Sequence, residues 1–505
     1  MENITAIKDD EVELSLLQDL PLAYVKGNAF LPLRRQDGEL VAAVADNRGV
    51  FALRDLARSL ELKPHPVLAG ETIILDAINR IYSRTSSMDE VMGDIQGEDL
   101  TMVATEFESP KDLLELTEEA PIIRLLNALM MEAVKEKASD IHIEPYEKGI
   151  DVRFRVDGIL HKVLNPPRIV QDALVSRIKI MAGLDIAEKR LPQDGRIKLL
   201  AGGKNIDIRV SIIPTALGER AVLRLLDRQA GVLSLEMLGL SDSILTGFKE
   251  ALSRPNGIIL VTGPTGSGKT TTLYASLLRL NTEERNIITV EDPVEYQLSG
   301  IGQMQVNPRI GLTFASGLRS ILRQDPDIMM VGEIRDLETA EIAVHASLTG
   351  HLVLSTLHTN DAPSALTRLM DMGIEPFLVA SSLVSVLAQR LVRGICPHCR
   401  GPYAPSSRET DYLGVESPPA QLYRGKGCHK CLGKGYLGRT GIYELLQITP
   451  EIRTMISERK DAQTIRSAAI KTGFRTMQRN AVEKIIKGIT TIEEVLRVTQ
   501  RDSET

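Results

Sequence analysis

A glycine-rich segment between an apolar run and a helical stretch constrains the fold of this chain more than any other feature. Residues 258–261 are apolar, residues 271–280 have helical spacing, and the segment between them ends in the pattern G-x-x-x-x-G-K-T. This order predicts a P-loop, in which backbone N–H groups hold phosphate oxygens beside the positive end of a helix dipole. The residues predicted to bind the nucleotide are Gly263, Pro264, Thr265, Gly266, Ser267, Gly268, Lys269, Thr270 and Thr271.

Two side chains of this segment have the chemistry that a nucleotide site requires. Lys269 is placed to reach the β- and γ-phosphates, and the Thr270 hydroxyl is placed to ligate Mg²⁺. A chance glycine-rich turn is the alternative, and the flanking strand and helix argue against it. ATP and Mg²⁺ are therefore the expected ligands.

Three further apolar runs share the character of the run before the P-loop. They cover residues 287–290, 328–331 and 352–354, and helical stretches separate them. Near-continuous apolar strands are typical of a parallel, doubly wound α/β sheet that is buried on both faces. Ligands of such sheets bind beyond the carboxyl ends of the strands. We therefore expect functional side chains directly after each run.

Acidic side chains follow the first two of these three runs. Glu291, Asp292 and Glu295 come after the first run, where carboxylates can hold Mg²⁺ through water or orient an attacking water. They could instead be exposed loop charges. Gly332 and Glu333 follow the second run, at a point where many P-loop ATPases have an Asp-Glu pair. Glu333 is the candidate to polarise the attacking water, although it could simply pair with an arginine.

A histidine and several arginines complete the predicted site. His358 follows the last run and is a candidate sensor of the γ-phosphate. Phosphoryl transfer also needs positive charge near the γ-phosphate. Arg209 and Arg224, on two predicted strands of a preceding domain, could supply it from another domain or subunit. Arg319 and Arg323 could do the same, and each arginine could also be an ordinary surface ion pair.

The four cysteines of the chain form two C-x-x-C pairs. Cys396 and Cys399 make the first pair, and Cys428 and Cys431 make the second. This spacing predicts a tetrahedral Cys₄ zinc site. Four sulfur ligands leave no open coordination position, so we expect the Zn²⁺ to be structural and not catalytic.

Length and charge runs indicate the domain organisation. A chain of 505 residues is expected to form about three domains. Between Asp89 and Glu119, 11 residues are acidic and only Lys111 is basic, which favours a solvated linker over an acidic contact for a basic partner. The predicted parts are a first N-terminal docking domain at 1–84, an acidic linker at 85–119, a second N-terminal domain at 120–228, and a C-terminal domain at 229–505 with a zinc subdomain at about 394–434 and a C-terminal helical segment.

Composition limits the partners and the compartment. The formal net charge of −7 argues against a general nucleic-acid binder. No apolar run is long enough for a membrane-spanning helix, and the first residues lack the pattern of a signal peptide. We therefore expect a cytoplasmic protein whose membrane role, if it has one, depends on a partner.

The motifs resemble those of the secretion ATPase superfamily of type II secretion and type IV pilus systems. Their order and spacing are similar to the Walker A, Asp box, Walker B and His box of that superfamily, where Gly-Glu is usual in the third motif. The segments that carry the resemblance are 263–270, 288–296, 322–336 and 349–360. Segments 139–144, 153–158 and 192–196 are similar to its second N-terminal domain.

The resemblance implies a RecA-like core and a motor of six identical subunits. ATP would bind between the P-loop domain and the second N-terminal domain, and Arg209 and Arg224 match the arginine fingers of the family. Residues 1–84 would dock on the cytoplasmic domain of a bitopic inner-membrane protein. The ring would act on an inner-membrane platform protein, which drives pseudopilus assembly and export of folded proteins. The motor would then lie in the cytoplasm, peripherally attached to the inner membrane through these partners.

Within the superfamily, two features favour the type II secretion ATPases. These are the Cys₄ insertion and the compact first domain, although pilus-assembly ATPases also carry Cys₄ insertions. A type IV pilus extension ATPase is therefore the nearest alternative. Two other classes stay open: a nucleotide-gated scaffold with negligible turnover and, against the net charge, a nucleic-acid translocase.

Overall fold

A computed structural model shows how these segments fold. It describes residues 3–78 except 5, 6, 8–11, 18, 19, 21, 37, 61 and 76, residues 121–227 except 202 and 203, and residues 233–499 except 416 and 418. The predicted acidic linker lies outside the described residues. The chain forms two compact units, Met1–Ala230 and Gly231–Thr505. Within the described ranges, no helix has the length and apolar character that crossing a bilayer would require.

The first sheet belongs to the amino-terminal residues. Its strand order is β1-β4-β3-β2, and only β2 and β3 pair antiparallel. The second helix begins after Asp46, whose carboxylate accepts hydrogen bonds from the first backbone N–H groups of the helix. Its buried side chains, Ala52, Leu53 and Ala57, pack in one apolar core with the strands. The elements are β1 (Asn3–Ile4), α1 (Leu22–Gly27), β2 (Phe30–Gln36), β3 (Glu39–Val44), α2 (Asn47–Ser59) and β4 (Lys63–Ala69).

The second sheet is fully antiparallel and has the order β7-β6-β5-β10-β9-β8. Every second side chain of β9 from Ile206 to Ile212 is buried in a core that also contains side chains of α3 and α4. Arg209 and Arg224 are direct cross-strand neighbours, so both lie on the opposite face. The elements are α3 (Pro121–Lys135), β5 (Asp140–Pro145), β6 (Ile150–Val156), β7 (Ile159–Leu164), α4 (Gln171–Ala182), β8 (Gln193–Ala201), β9 (Lys204–Thr215) and β10 (Gly218–Asp227).

The third sheet contains the strand before the P-loop at an interior position. Its order is β13-β12-β14-β15-β11-β16-β19, and its pairs are parallel except the last, β16 with β19. The predicted parallel sheet is therefore confirmed, with an antiparallel strand added at one edge. The strands are β11 (Gly257–Thr262), β12 (Ile287–Glu291), β13 (Gly302–Gln305), β14 (Ile328–Val331), β15 (Leu352–Leu357), β16 (Leu383–Ile395) and β19 (Tyr436–Gln447).

Helices cover both faces of this sheet. Ile258 and Leu260 of β11 belong to one apolar core, whereas Ile259 and Val261 belong to another on the opposite face. This alternation explains why residues 258–261 are all apolar, and it confirms the doubly wound prediction. The helices of this unit are α5 (Asp242–Leu252), α6 (Lys269–Leu280), α7 (Phe314–Ile321), α8 (Leu337–Leu348), α9 (Ala362–Asp371), α10 (Pro376–Ser382), α11 (Ser407–Leu413), α12 (Pro450–Ser457), α13 (Ala462–Lys471), α14 (Met477–Ile486) and α15 (Ile492–Thr499).

A small insertion separates β16 from β19. It contains an antiparallel pair, β17 (Arg400–Tyr403) and β18 (Leu422–Gly425), and all four cysteines. Cys396 directly follows β16, and its backbone N–H donates to the carbonyl of Gly435 just before β19. The cysteines therefore lie where the two long strands enter and leave the insertion.

Candidate active site and metal centre

The P-loop connects the carboxyl end of β11 to the amino end of α6. Lys269 is the first residue of α6, and its Nζ donates to the carbonyl oxygens of Gly263 (2.8 Å) and Pro264 (3.2 Å). Burial lowers the pKa of the Lys269 ammonium to about 8, and the negative charge of Glu333 opposes this shift. The lysine is thus folded back over the loop as a partly desolvated cation.

Two observations show that the loop fits a phosphate group. The Ser267 hydroxyl is buried and has no hydrogen-bond partner among the described residues. Gly266 has φ of +79°, and a Cβ at this position would meet nothing within 4 Å. The turn is therefore open on the side where a ligand would lie, and a buried hydroxyl is left for an acceptor. Phosphate oxygens supply such acceptors.

Glu333 and His358 meet at the ends of neighbouring strands. Because β14 and β15 are parallel and adjacent, the residues that follow them reach the same edge of the sheet. His358 Nε2 lies 3.3 Å from Glu333 Oε2, and Arg335 forms an ion pair with the other oxygen of Glu333. Burial and the charge of Lys269 lower the pKa of His358, and Glu333 opposes them. His358 is therefore neutral near pH 7.

The first residue of the predicted acidic loop is held by hydrogen bonds from several elements. Glu291 is buried, and its carboxylate accepts hydrogen bonds from Tyr274 Oη, Thr289 Oγ1 (2.5 Å) and Gln303 Nε2 (3.1 Å). Since Tyr274 belongs to α6, this cluster ties the P-loop helix to β12. Glu291 Oε1 accepts two of these hydrogen bonds and Oε2 accepts one, so the carboxylate is a structural acceptor that still has acceptor capacity on Oε2.

The other two acidic residues lie around the same cluster. Asp292 contributes negative charge that helps raise the pKa of Arg335. The backbone N–H of Glu295 donates to Tyr274 Oη (3.2 Å), and its carboxylate helps to raise the pKa of Tyr296 to about 12, a shift due mainly to burial. Asp292 is thus close to the Arg335–Glu333 pair, whereas Glu295 lies on the Tyr274 side.

The four candidate arginines are in two places. Arg209 and Arg224 belong to the unit Met1–Ala230, where Arg224 Nε donates to Asp140 Oδ1 (2.9 Å). Arg319 belongs to the unit of the P-loop and pairs with exposed Glu338 (2.7 Å). Arg323, in the same unit, donates to the carbonyl of Arg319 (3.0 Å). Both residues of this second pair are therefore engaged at the surface.

The four cysteines come together as the spacing predicts, and we call them the four-cysteine cluster. Their sulfur atoms all lie within 4.8 Å of one another. The Cys396–Cys428, Cys399–Cys431 and Cys428–Cys431 sulfur separations are 3.9, 3.8 and 3.7 Å. A tetrahedron with metal–sulfur bonds of about 2.3 Å has edges of about 3.8 Å. The donor set and its dimensions therefore fit Zn²⁺.

Sequence patterns did not single out several residues of the site. Tyr274 and Gln303 act through contacts with Glu291 from other elements, which no local pattern reveals, whereas Arg335 contacts Glu333 within the same motif. Gln389 is a buried amide in β16 that contacts the P-loop. The one signal in the sequence that could have indicated Gln389 is that it is the only amide of β16.

Strand, P-loop and helix, with Glu333 and His358 at neighbouring strand ends, define a P-loop ATPase. The family described as "Type II/IV secretion system protein" matches residues 115–497, and an "MshEN domain" matches residues 4–88. The chain belongs to this type II/IV secretion system family, and it is an ATP-hydrolysing enzyme.

Curated relatives agree over most of the chain. The type II secretion system protein E of Pseudomonas aeruginosa is 52% identical over 495 residues, which are 96% of each chain. The type II secretion system ATPase E of Vibrio cholerae is 54% identical and covers 84% of this chain and 85% of its own. The type IV pilus assembly ATPase PilB of Myxococcus xanthus is 45% identical and covers 98% of this chain and 88% of its own.

Solved structures share the fold. The pilus retraction motor PilT with bound ADP is 27% identical, with a TM-score of 0.53, and the match covers 75% of this chain and 98% of that one. The Legionella pneumophila ATPase DotB has a TM-score of 0.56 at 23% identity, over 74% of this chain and 94% of that one. These likenesses confirm the RecA-like secretion ATPase fold.

Proposed function

We propose that the chain is the cytoplasmic ATPase motor of a type II secretion system, working as a hexamer. The 52% identity to a type II secretion system protein E over 96% of both chains carries this proposal. Residues 1–84 dock on the cytoplasmic domain of a bitopic inner-membrane protein, and the ring acts on an inner-membrane platform protein. Turnover then drives pseudopilus assembly and the export of folded proteins, without nucleic acid and without direct insertion into the membrane.

The P-loop residues bind the nucleotide in this proposal. Backbone N–H groups of Gly266 and its neighbours hold the phosphates, and the Ser267 hydroxyl gains the acceptor that it lacks. Lys269 exchanges the carbonyls of Gly263 and Pro264 for β- and γ-phosphate oxygens, which stabilise its charge better than carbonyl dipoles do. Thr270 and Thr271 begin the helix beside these phosphates. Mg²⁺, held by the Thr270 hydroxyl, would neutralise phosphate charge.

The strand-end residues act on the attacking water. Glu333 orients and polarises the water, and His358, neutral near pH 7, donates or accepts a hydrogen bond beside the γ-phosphate. Arg335 shares the Glu333 carboxylate in this structure, so the carboxylate has one oxygen toward His358 and one toward Arg335. Asp292 balances the charge of Arg335. Glu291 positions α6 through Tyr274, and with Asp292 and Glu295 it would hold Mg²⁺ through water or orient the attacking water.

Arg209 and Arg224 are proposed as arginine fingers. Their cross-strand pairing places both guanidinium groups on the polar face of the sheet, and the Arg224 side chain is 62% exposed. Asp140, which pairs with Arg224, would release it to the γ-phosphate. The four-cysteine cluster holds Zn²⁺ as a structural ion and closes the insertion between β16 and β19.

A Glu333→Gln variant tests the motor against a nucleotide-gated scaffold. We expect phosphate release by the full chain, with its membrane partner present, to fall by about 10²–10⁴-fold, while ATP still binds. Glu375→Gln is the matched control, because Glu375 forms an exposed ion pair with Arg459 at a separation of 3.7 Å. Equal rates for wild type and Glu333→Gln would contradict the motor proposal.

A second candidate is a type IV pilus extension ATPase, favoured by the 45% identity to PilB over 98% of the chain. Pulldown of the full chain from membranes separates the two. Recovery of a pilus-specific inner-membrane protein in place of a secretion component would favour the pilus role and overturn the choice made above.

A further inference from the structure

Gln389 lies beside the P-loop on the neighbouring strand. β11 and β16 are parallel, and Thr262 pairs with Ala388, so Gln389 is level with Gly263, the first residue of the loop. The Gln389 side chain is almost completely buried, at 1% exposure. Its amide is therefore removed from water and must find both a donor and an acceptor within the protein.

The amide finds both partners in the P-loop segment. Gln389 Nε2 donates to the carbonyl oxygen of Ser267 (2.8 Å), and Gln389 Oε1 accepts from Thr272 Oγ1 (2.8 Å). Ser267 is in the last turn of the loop and Thr272 is in the first turn of α6. The two hydrogen bonds thus span Lys269, and they hold the backbone on both sides of it.

The strand β16 leaves no room for a side chain at one P-loop glycine and little room at another. A Cβ at Gly263 would lie 2.4 Å from the carbonyl oxygen of Gln389, and a Cβ at Gly268 would lie 3.3 Å from Gln389 Nε2. Both residues have positive φ. Gly266, by contrast, faces open space. The outer glycines therefore make room for Gln389, whereas the central glycine leaves room for phosphate.

We propose that Gln389 is a positioning residue that fixes the P-loop in its phosphate-binding shape before the nucleotide arrives. Without the amide, part of the favourable free energy of nucleotide binding would be offset by the cost of ordering the loop, and the nucleotide would bind more weakly. Affinity would fall more than the rate of bound ATP turnover, because the bound phosphates themselves hold the loop. The amide offers a donor and an acceptor at once, whereas an ionised Glu lacks the donor and Leu lacks both.

Equilibrium binding of ADP with Mg²⁺ to the full chain tests the proposal. Loss of two buried hydrogen bonds predicts about 10- to 100-fold weaker binding for Gln389→Leu. Gln389→Glu, with its carboxylate ionised, keeps the acceptor for Thr272 and loses the donor to Ser267. It should bind ADP at least about threefold more weakly. Gln421→Leu is the control, because Gln421 is an exposed amide in the insertion, and its ADP affinity should match the wild type.

Kinetics separate positioning from general stability. For the Gln389 variants, KM for ATP should rise with the ADP dissociation constant, while kcat stays within about threefold of wild type. A purely structural role would lower the active fraction, and therefore kcat, with KM unchanged. Thr272→Val removes the other partner, and it should add no further loss to Gln389→Leu. If Gln389→Leu does not fold, the ADP affinity and the KM of Gln389→Glu and Thr272→Val test the proposal.

The result that overturns the proposal is ADP affinity and KM within threefold of wild type for every Gln389 variant that folds, whatever the change in kcat. The inference rests on nucleotide binding at the P-loop and not on the secretory role. Failure of the wild-type chain to bind ADP would refute the proposed nucleotide site itself, so the two failures are distinguishable.

Discussion

The lowered pKa of Lys269 makes nucleotide affinity depend on pH in a range where most side chains do not titrate. Burial lowers the pKa to about 8 in the free protein. Phosphate oxygens would favour the ammonium form, so binding takes up a proton whenever Lys269 is neutral. The affinity should therefore be highest below pH 8 and fall as the pH rises through this value.

The size of this effect follows from the protonated fraction. With a pKa of about 8, roughly three quarters of Lys269 is charged at pH 7.5 and roughly one eleventh at pH 9.0. If only the charged form binds, the dissociation constant rises about eightfold between these pH values. His358, which also faces Lys269, does not obscure the effect, because burial and the charge of Lys269 lower its pKa further below this range.

Calorimetric titration of the full chain with ADP and Mg²⁺, at constant ionic strength, measures this change. Lys269→Met is the matched control, since it should bind weakly and without pH dependence over the same interval. Circular dichroism at both pH values checks that the fold persists, because buried Lys484 also has a pKa of about 8. Affinity equal within twofold at pH 7.5 and 9.0, or the same fall in Lys269→Met, would refute the reasoning.

Three further predictions concern buried contacts. Tyr274→Phe removes a donor from buried Glu291 and should lower the free energy of unfolding, measured by urea titration, by about 1.5–3 kcal/mol. Tyr296→Phe is the control, because the Tyr296 hydroxyl has no hydrogen bond among the described residues. It should change the free energy of unfolding by less than about 0.5 kcal/mol. Thiol titration should detect no reactive cysteine until a chelator removes Zn²⁺ and then four per chain; four without chelator would contradict the metal site. Burial acts to raise the pKa of Glu494, but hydrogen bonds from Arg497 and Arg393 outweigh it and lower this pKa below its ordinary value of 4.5. Ionised Glu494 therefore stabilises α15 above pH 4.5, and this stabilisation is lost as the pH falls through the lowered pKa. The protection factors of the α15 amides in hydrogen exchange should fall in acid for wild type and already be low at neutral pH for Glu494→Gln.

Patterns within short segments predicted most of the sheet and of the site. Apolar runs gave β11, β12, β14 and β15, because strands buried on both faces need apolar residues at every position. The position of a residue directly after a run then placed Glu333 and His358 at one edge, where the structure finds them 3.3 Å apart. The C-x-x-C spacing was similarly sufficient, since each pair fixes two ligands within one turn.

Contacts between distant segments were not predictable in this way. The antiparallel strand β19 pairs with β16 across the whole cysteine insertion, so no local spacing indicated it. Glu291 has the position of a metal-binding acid, and the sequence gives no sign that its carboxylate also accepts hydrogen bonds from Tyr274 and Gln303 of two other elements. In the sequence, Gln389 is only one of several polar residues of β16. The register of the strand is what places it level with Gly263.

The two halves of the site differ in how firmly they are held. Gln389 fixes the P-loop through two buried hydrogen bonds, and such groups are costly to leave unpaired. Glu333, in contrast, is held by Arg335 and His358, whose side chains are 66% and 49% exposed. An ion pair with an exposed partner such as Arg335 contributes only about 0–1 kcal/mol, and neutral His358 adds a hydrogen bond and no second ion pair, so these contacts open and re-form readily. Rearrangement of the site is therefore less costly at the Glu333 end than at the P-loop.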